Sequence, residues 1–147
     1  MPRSSEGRGI FILIVNAEAS IKRKRGTKLE IPPEKLAPLT KQKLDSIHDL
    51  IEKGKHREAL AELETLESSQ LTDFIHRKSS SFLTLEIGLI HYLSTLALFK
   101  LGRDVDGFKE AQIAIGILYK LGEKDLAKEI TEEINDILKE KGFGLKL

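Results

Sequence analysis

The chain has 147 residues, 40% of them apolar and 32% charged, enough apolar side chain for one domain's core or for a few helical hairpins that share one. It has no cysteine, which excludes disulfides, thiolate metal sites and thiol chemistry. The net charge of +1 conceals an asymmetry: residues 1–43 hold ten Lys or Arg against four Glu, and the remaining 104 hold 14 basic and 19 acidic residues. Such a chain can pair its own ends, bind a like chain head to tail, or offer its basic end to phosphate. Two Asn and three Gln against 24 Lys plus Arg and 23 Asp plus Glu is the composition of a thermophilic, cytoplasmic protein.

Residues 1–9 carry turn formers and charge without periodicity, and a frayed start is expected there. The apolar run Ile10–Val15 is shorter than the ~7 to 15 residues of a secretory core, so no signal peptide is expected. From Ile10 onward apolar residues alternate: Phe11, Leu13, Val15, Ala17, Ala19 and Ile21 share one face, with Asn16, Glu18, Ser20 and Lys22 on the other. A period of two predicts a strand. Lys22-Arg23-Lys24-Arg25-Gly26 interrupts it, and Leu29 and Ile31 resume it until Pro32 and Pro33. The expectation is a β-hairpin with a basic tip, forming with the tail a segment 1–39 ahead of a helical domain 40–147. A lone ribbon is marginal in water, so its apolar face must lie on the helices or on another chain.

Thr40 is the expected N-cap of a first helix in which Leu44, Ile47, Leu50 and Ile51 recur at helical spacing up to Gly54. A second helix is predicted over 56–68, with Ala59, Leu60, Leu63 and Leu66 on one side. Ser68-Ser69-Gln70 is expected to end it, and a partly helical link follows. A third helix, 81–101, is apolar nearly all round and must be covered on several sides. Glu86, His91 and several hydroxyls argue against reading it as a membrane span, and no membrane association is expected. A fourth helix, 104–121, is apolar on two flanks and is expected to be wedged between neighbours. The fifth, 124–141, presents Leu126, Ile130, Ile134, Ile137 and Leu138 inward and Lys128, Glu129, Glu132, Glu133, Lys139 and Glu140 to water, which suits the end of a stack.

Three times a glycine precedes a small residue by five positions: Gly54 and Ala59, Gly102 and Gly107, Gly122 and Ala127. A glycine ends a helix by taking positive φ without a Cβ clash. Five residues later the returning helix passes closest to its predecessor, where only a small side chain fits. The segments IEKGKHREALAELETL and LALFKLGRDVDGFKEAQIAIGILYKLGEKDLAKEI resemble tetratricopeptide repeats, with Tyr119 to Glu123 similar to the turn that ends a second helix in the longer-period variety. The resemblance covers about residues 40–141. It departs from the family in lacking the large aromatic early in the first helix and the closing proline, and its glycines are unevenly spaced. It implies an antiparallel helical-hairpin stack of about five helices and a surface that binds a peptide or protein subunit.

Chemistry-bearing clusters are few. His48, Glu52 and His56 have the spacing of metal ligands on one helix, but Gly54 is expected to break that helix before His56, so no metal or cofactor is expected. Glu86 and His91 lie in the apolar third helix, where a buried polar group needs a partner; they form a possible polar pocket, each meeting another helix rather than the other residue. Ser79, Ser80 and Ser81 sit in a link without a nucleophile elbow, and there is no phosphate loop, so the chain is read as a non-enzymatic protein-binding scaffold. Its strand Ile10–Val15 has an edge that invites pairing in a homodimer. The alternative is a nucleic-acid-associated accessory protein that uses Lys22, Arg23, Lys24 and Arg25, although no aromatic is interleaved to stack bases.

Overall fold

In the computed structural model, which describes residues 27–77 and 84–147, five helices follow one another: α1 (Pro38–Glu52), α2 (His56–Arg77), α3 (Leu85–Lys100), α4 (Asp104–Lys120) and α5 (Lys124–Glu140). They pack as a stack. Helix α3 is central, lying against α1, α2 and α4, while α1 also packs on α2 and α4 on α5. Leu44, Asp45 and His48 of α1 line one pocket with Leu89, Tyr92 and Leu93 of α3, and Glu52, further along α1, lines another with Leu96, Phe99 and Lys100, further along α3, so these helices run parallel. The ion pair from Lys141, just past α5, to Asp104 at the start of α4 marks α4 and α5 as antiparallel. The result is one layer of α1, α3 and α5 and another of α2 and α4. No helix among the described residues is long and apolar enough to cross a membrane.

The helix ends explain the topology. Gly54, Gly102, Gly122 and Gly142 have φ of +85°, +80°, +81° and +87°. Each donates its N–H three residues back, to Ile51, Phe99, Tyr119 and Lys139, and the residue after each bonds five back, to Leu50, Leu98, Leu118 and Leu138. This pair of bonds satisfies carbonyls that a helix end otherwise leaves open. At the first three turns the residue after the glycine also caps the next helix, since Lys55, Arg103 and Glu123 accept from the N–H groups of Ala59, Gly107 and Ala127. One residue thus closes one helix and opens the next, which forces a tight reversal. Ala59 and Ala127 are 0% exposed. A Cβ at Gly107 would stand 2.9 Å from the Phe99 ring of α3. The steric reading of the repeated glycine-plus-small spacing is therefore what the fold uses.

Several boundaries differ from expectation. Helix α1 starts at Pro38, whose missing N–H costs nothing at a first helical position, and Thr40 lies inside the helix. Helix α2 does not stop at Ser68 but runs to Arg77. Serines without a glycine or proline do not break a helix, and Thr65 and Thr72 satisfy their hydroxyls on the carbonyls four residues back. Helix α3 starts later than expected, where Thr84 accepts from the Ile87 N–H at 3.2 Å. As expected, it is buried on nearly every side. Helix α4 is less enclosed: Val105 is 71% exposed and Ile113 also faces outward, because α3 and α5 cover adjacent flanks and leave the third open.

No strand is present among the described residues. The first arm of the expected β-hairpin and its basic tip lie outside them. The second arm, residues 27–31, is irregular chain rather than part of a ladder. Its alternation serves another purpose: Leu29 is buried and Ile31 half-buried against the helices, while Lys28 and Glu30 are exposed. Pro32 then accepts from the N–H groups of Lys35 and Leu36, a single turn that inserts Leu36 into the core ahead of α1.

Candidate functional site

Residues 27–36 form a strap along the layer of α1, α3 and α5. Leu29 and Ile31 sit over Leu44 and His48 of α1 and Leu89 and Tyr92 of α3, closing this part of the groove down to about 20 Å³ of free space. Lysines tie both ends. Lys28 Nζ is 2.7 Å from Asp49 of α1, and Lys35 Nζ is 2.9 Å from Glu123 at the head of α5. The hydrogen bond from Lys28 holds the Asp49 carboxyl below the usual carboxylate range and raises the Lys28 amine. Because Lys28 lies at the Asp49 end and Leu36 leads into the start of α1, the strap runs antiparallel to α1.

Beyond the Asp49 end the groove is open. A cleft of about 500 Å³ lies between α1, α3 and α5, with Leu96, Phe99 and Ile137 on its floor and Glu52, Glu133 and Glu140 on its walls. Lys100 and Lys141 stand at its far rim, where Lys141 Nζ is 5.9 Å from the centre of the Phe99 ring. Tyr92, fully buried in α3, donates its hydroxyl to Glu133 Oε1 at 2.6 Å and so ties α3 to α5 across the groove. Glu133, expected in water, is only 7% exposed. The helical spacing of Glu129, Glu133, Asp136 and Glu140 places all four on the groove flank of α5, and Lys124, Lys128 and Lys139 on the opposite flank.

A second cleft of about 500 Å³ opens on the other layer between α2, α3 and α4, with Leu60, Leu98 and Leu101 among its apolar residues and Glu64, Glu67 and Glu110 among its acids. Here lies His91. Its Nδ1 is 2.5 Å from Glu110 Oε1 of α4 and its Nε2 is 3.4 Å from Glu67 Oε2 of α2. Burial pushes the imidazole toward its neutral form, but the hydrogen bond to Glu110 and the charges of Glu110 and Glu67 outweigh it and raise its pKa above the ordinary histidine value. This is a three-helix clamp.

The structure does not bring Glu86 and His91 together. Glu86, in the first turn of α3, is half-buried; burial raises its pKa, Lys43 opposes that and Asp73 adds to it. His48 and Glu52 lie on α1, and Gly54 separates them from His56 on α2. Among the described residues no group of three or more His, Asp or Glu is arranged to hold a metal ion. Lys22, Arg23, Lys24 and Arg25 lie outside the described residues. The groove itself was not found from the sequence. Its signals were present, in the alternation at Leu29 and Ile31 and in the one-sided acids of the last helix, but both fit simpler readings: a ladder and a solvated face.

Comparison with protein-family models, with curated proteins and with solved structures gives no match to this chain.

Proposed function

We propose that the chain is a non-enzymatic, tetratricopeptide-like interaction module whose groove between α1, α3 and α5 binds an extended segment of a protein partner. The strap carries this reading. A stretch of ten residues already lies in that groove as a ligand would, with alternate apolar side chains inserted and a lysine fixed by a carboxylate at either end. An extended peptide docks on packed helices in this manner when side chains supply the affinity, because a helix offers no free backbone edge to pair with. The open cleft offers the same combination of apolar floor and carboxylate walls, at a volume within the range of ligand sites, roughly 300–1,000 Å³.

Selection of a random peptide display library on the full chain tests the proposal, with Glu52→Lys/Glu140→Lys as the groove variant and Glu64→Lys as a control on the opposite layer. Sequences with apolar and basic positions are expected to be enriched, to lose binding to the groove variant and to keep it with the control. Enrichment of no sequence, or binding indifferent to the groove charges, would sink the proposal. Circular dichroism of each variant checks that the exposed substitutions leave the helices intact.

A further inference from the structure

We propose that the second cleft, between α2, α3 and α4, binds a short free oligopeptide of about three to five residues, held by its charged ends. This site is separate from the groove between α1, α3 and α5, and neither reading rests on the other.

The cleft is electrically polar along its length. Arg57 and Arg103 stand where α2 and α4 begin and α3 ends, whereas Glu64, Glu67 and Glu110 stand toward the other end. Among the described residues these are all the charged groups that line it. Part of this charge is already matched. Arg103 is bonded to Asp106, and His91 bridges Glu67 and Glu110 and offsets one of their two charges. What remains is Arg57 at one end, with Glu64 and one carboxylate charge of the clamp at the other. Among the described residues neither Arg57 nor Glu64 makes a hydrogen bond or an ion pair. Two helix N-termini against one C-terminus add net positive potential at the arginine end. The floor between the two ends is apolar, built from Leu60, Leu63, Leu98 and Leu101.

Length and breadth select the ligand. Along α2, Glu64 lies ~10 Å from Arg57 and Glu67 lies ~15 Å from it, at ~1.5 Å per residue. An extended peptide separates its terminal ammonium and carboxylate by ~3.3 Å per residue, so about three to five residues span that interval, whereas a dipeptide at ~7 Å reaches one end only. A volume of about 500 Å³ spread over ~15 Å leaves a cross-section of ~33 Å², and a helix ~10 Å across needs ~80 Å². The occupant is therefore extended. A linear anion with an apolar tail would set that tail against the carboxylates and leave them unpaired. A free peptide instead offers its carboxylate to Arg57 and its ammonium to Glu64 and the clamp, with side chains on the leucines between.

Nitrogen-15 spectra of the full chain titrated with the free tetrapeptide Leu-Ala-Leu-Ala test this. Shifts are expected at Leu60, Ser94 and Leu98 and not at Ile31 or Ile137, which line the opposite layer. Acetylating the amino end, amidating the carboxyl end or shortening the peptide to Leu-Ala should each weaken binding about three-fold or more. Glu64→Gln should shrink the effect of acetylation and not that of amidation, and Arg57→Gln should do the reverse. That crossed pattern ties each end of the peptide to one end of the cleft. Absence of shifts at the cleft in a chain folded by its spectrum, a cap at either end that leaves affinity unchanged, or capping effects that neither variant alters would overturn the proposal. Shifts confined to the groove between α1, α3 and α5 would overturn it as well, and would leave the peptide-binding reading of that groove standing.

Discussion

The close approach of α3 and α4 can be tested by making one substitution at two places on one helix. Gly107 and Gly116 both lie within α4, and replacing either by Ala raises helix propensity by about 1 kcal/mol. At Gly116 a new Cβ would meet nothing within 4 Å. At Gly107 it would stand 2.9 Å from both Cδ1 and Cε1 of Phe99, a ring that is itself buried. Overpacking of this kind costs about 1–3 kcal/mol. Gly116→Ala is therefore expected to stabilise by about 0.5–1 kcal/mol, and Gly107→Ala to be neutral or destabilising by up to about 2 kcal/mol. Urea unfolding followed by circular dichroism resolves this difference, and in thermal scans each kcal/mol corresponds to about 2–4 °C. Adding Phe99→Leu to Gly107→Ala should recover part of the loss, and the double-mutant cycle reads that coupling. Equal stabilisation at both glycines would refute the packing of α4 on Phe99 and, with it, the reason for a small residue at the fourth position of each returning helix.

Gly122→Ala, at φ +81°, is expected to destabilise by about 1 kcal/mol although its Cβ would meet nothing, because the cost is conformational; thermal unfolding reads it. Tyr92→Phe leaves the buried Glu133 without its 2.6 Å hydroxyl donor and should cost about 1–3 kcal/mol in urea unfolding; a neutral result would show that the α3–α5 tie contributes nothing. The raised pKa of His91 means that the folded chain binds its proton more tightly than the unfolded chain, whose value is near 6.5. The stabilisation by the imidazolium, clamped by Glu110 and Glu67, is thus complete below about pH 6.5 and is lost as pH rises through the folded value. Urea midpoints across that window should fall for the wild type and fall less for His91→Gln, and identical profiles would refute the clamp.

Much of the helical architecture was legible in the sequence, because its causes are local. Positive φ at a glycine, a tiny residue five positions on and a 3.6-residue apolar period each act within a few residues, and together they located α4, α5 and all three hairpin turns to within a residue or two. The seryl stretch at 68–70 misled for the same reason in reverse. It carries turn-forming residue types, but α2 continues through it, because no glycine or proline is there to break the helix.

What the chain could not show by itself was which parts far apart in sequence would meet. Leu29 and Ile31 alternate whether their neighbour is a strand or a pair of helices, and only the packing of α1 beside α3 makes them a strap in a groove. Glu133 looks like any solvated glutamate on an amphipathic helix until the stack places Tyr92 under it, and His91 gains its two carboxylates from α2 and α4 only once both flank α3. Local sterics set where helices end and turn; the groove, the clamp and the acidic wall are products of long-range packing, which the periodicity of any one segment does not encode.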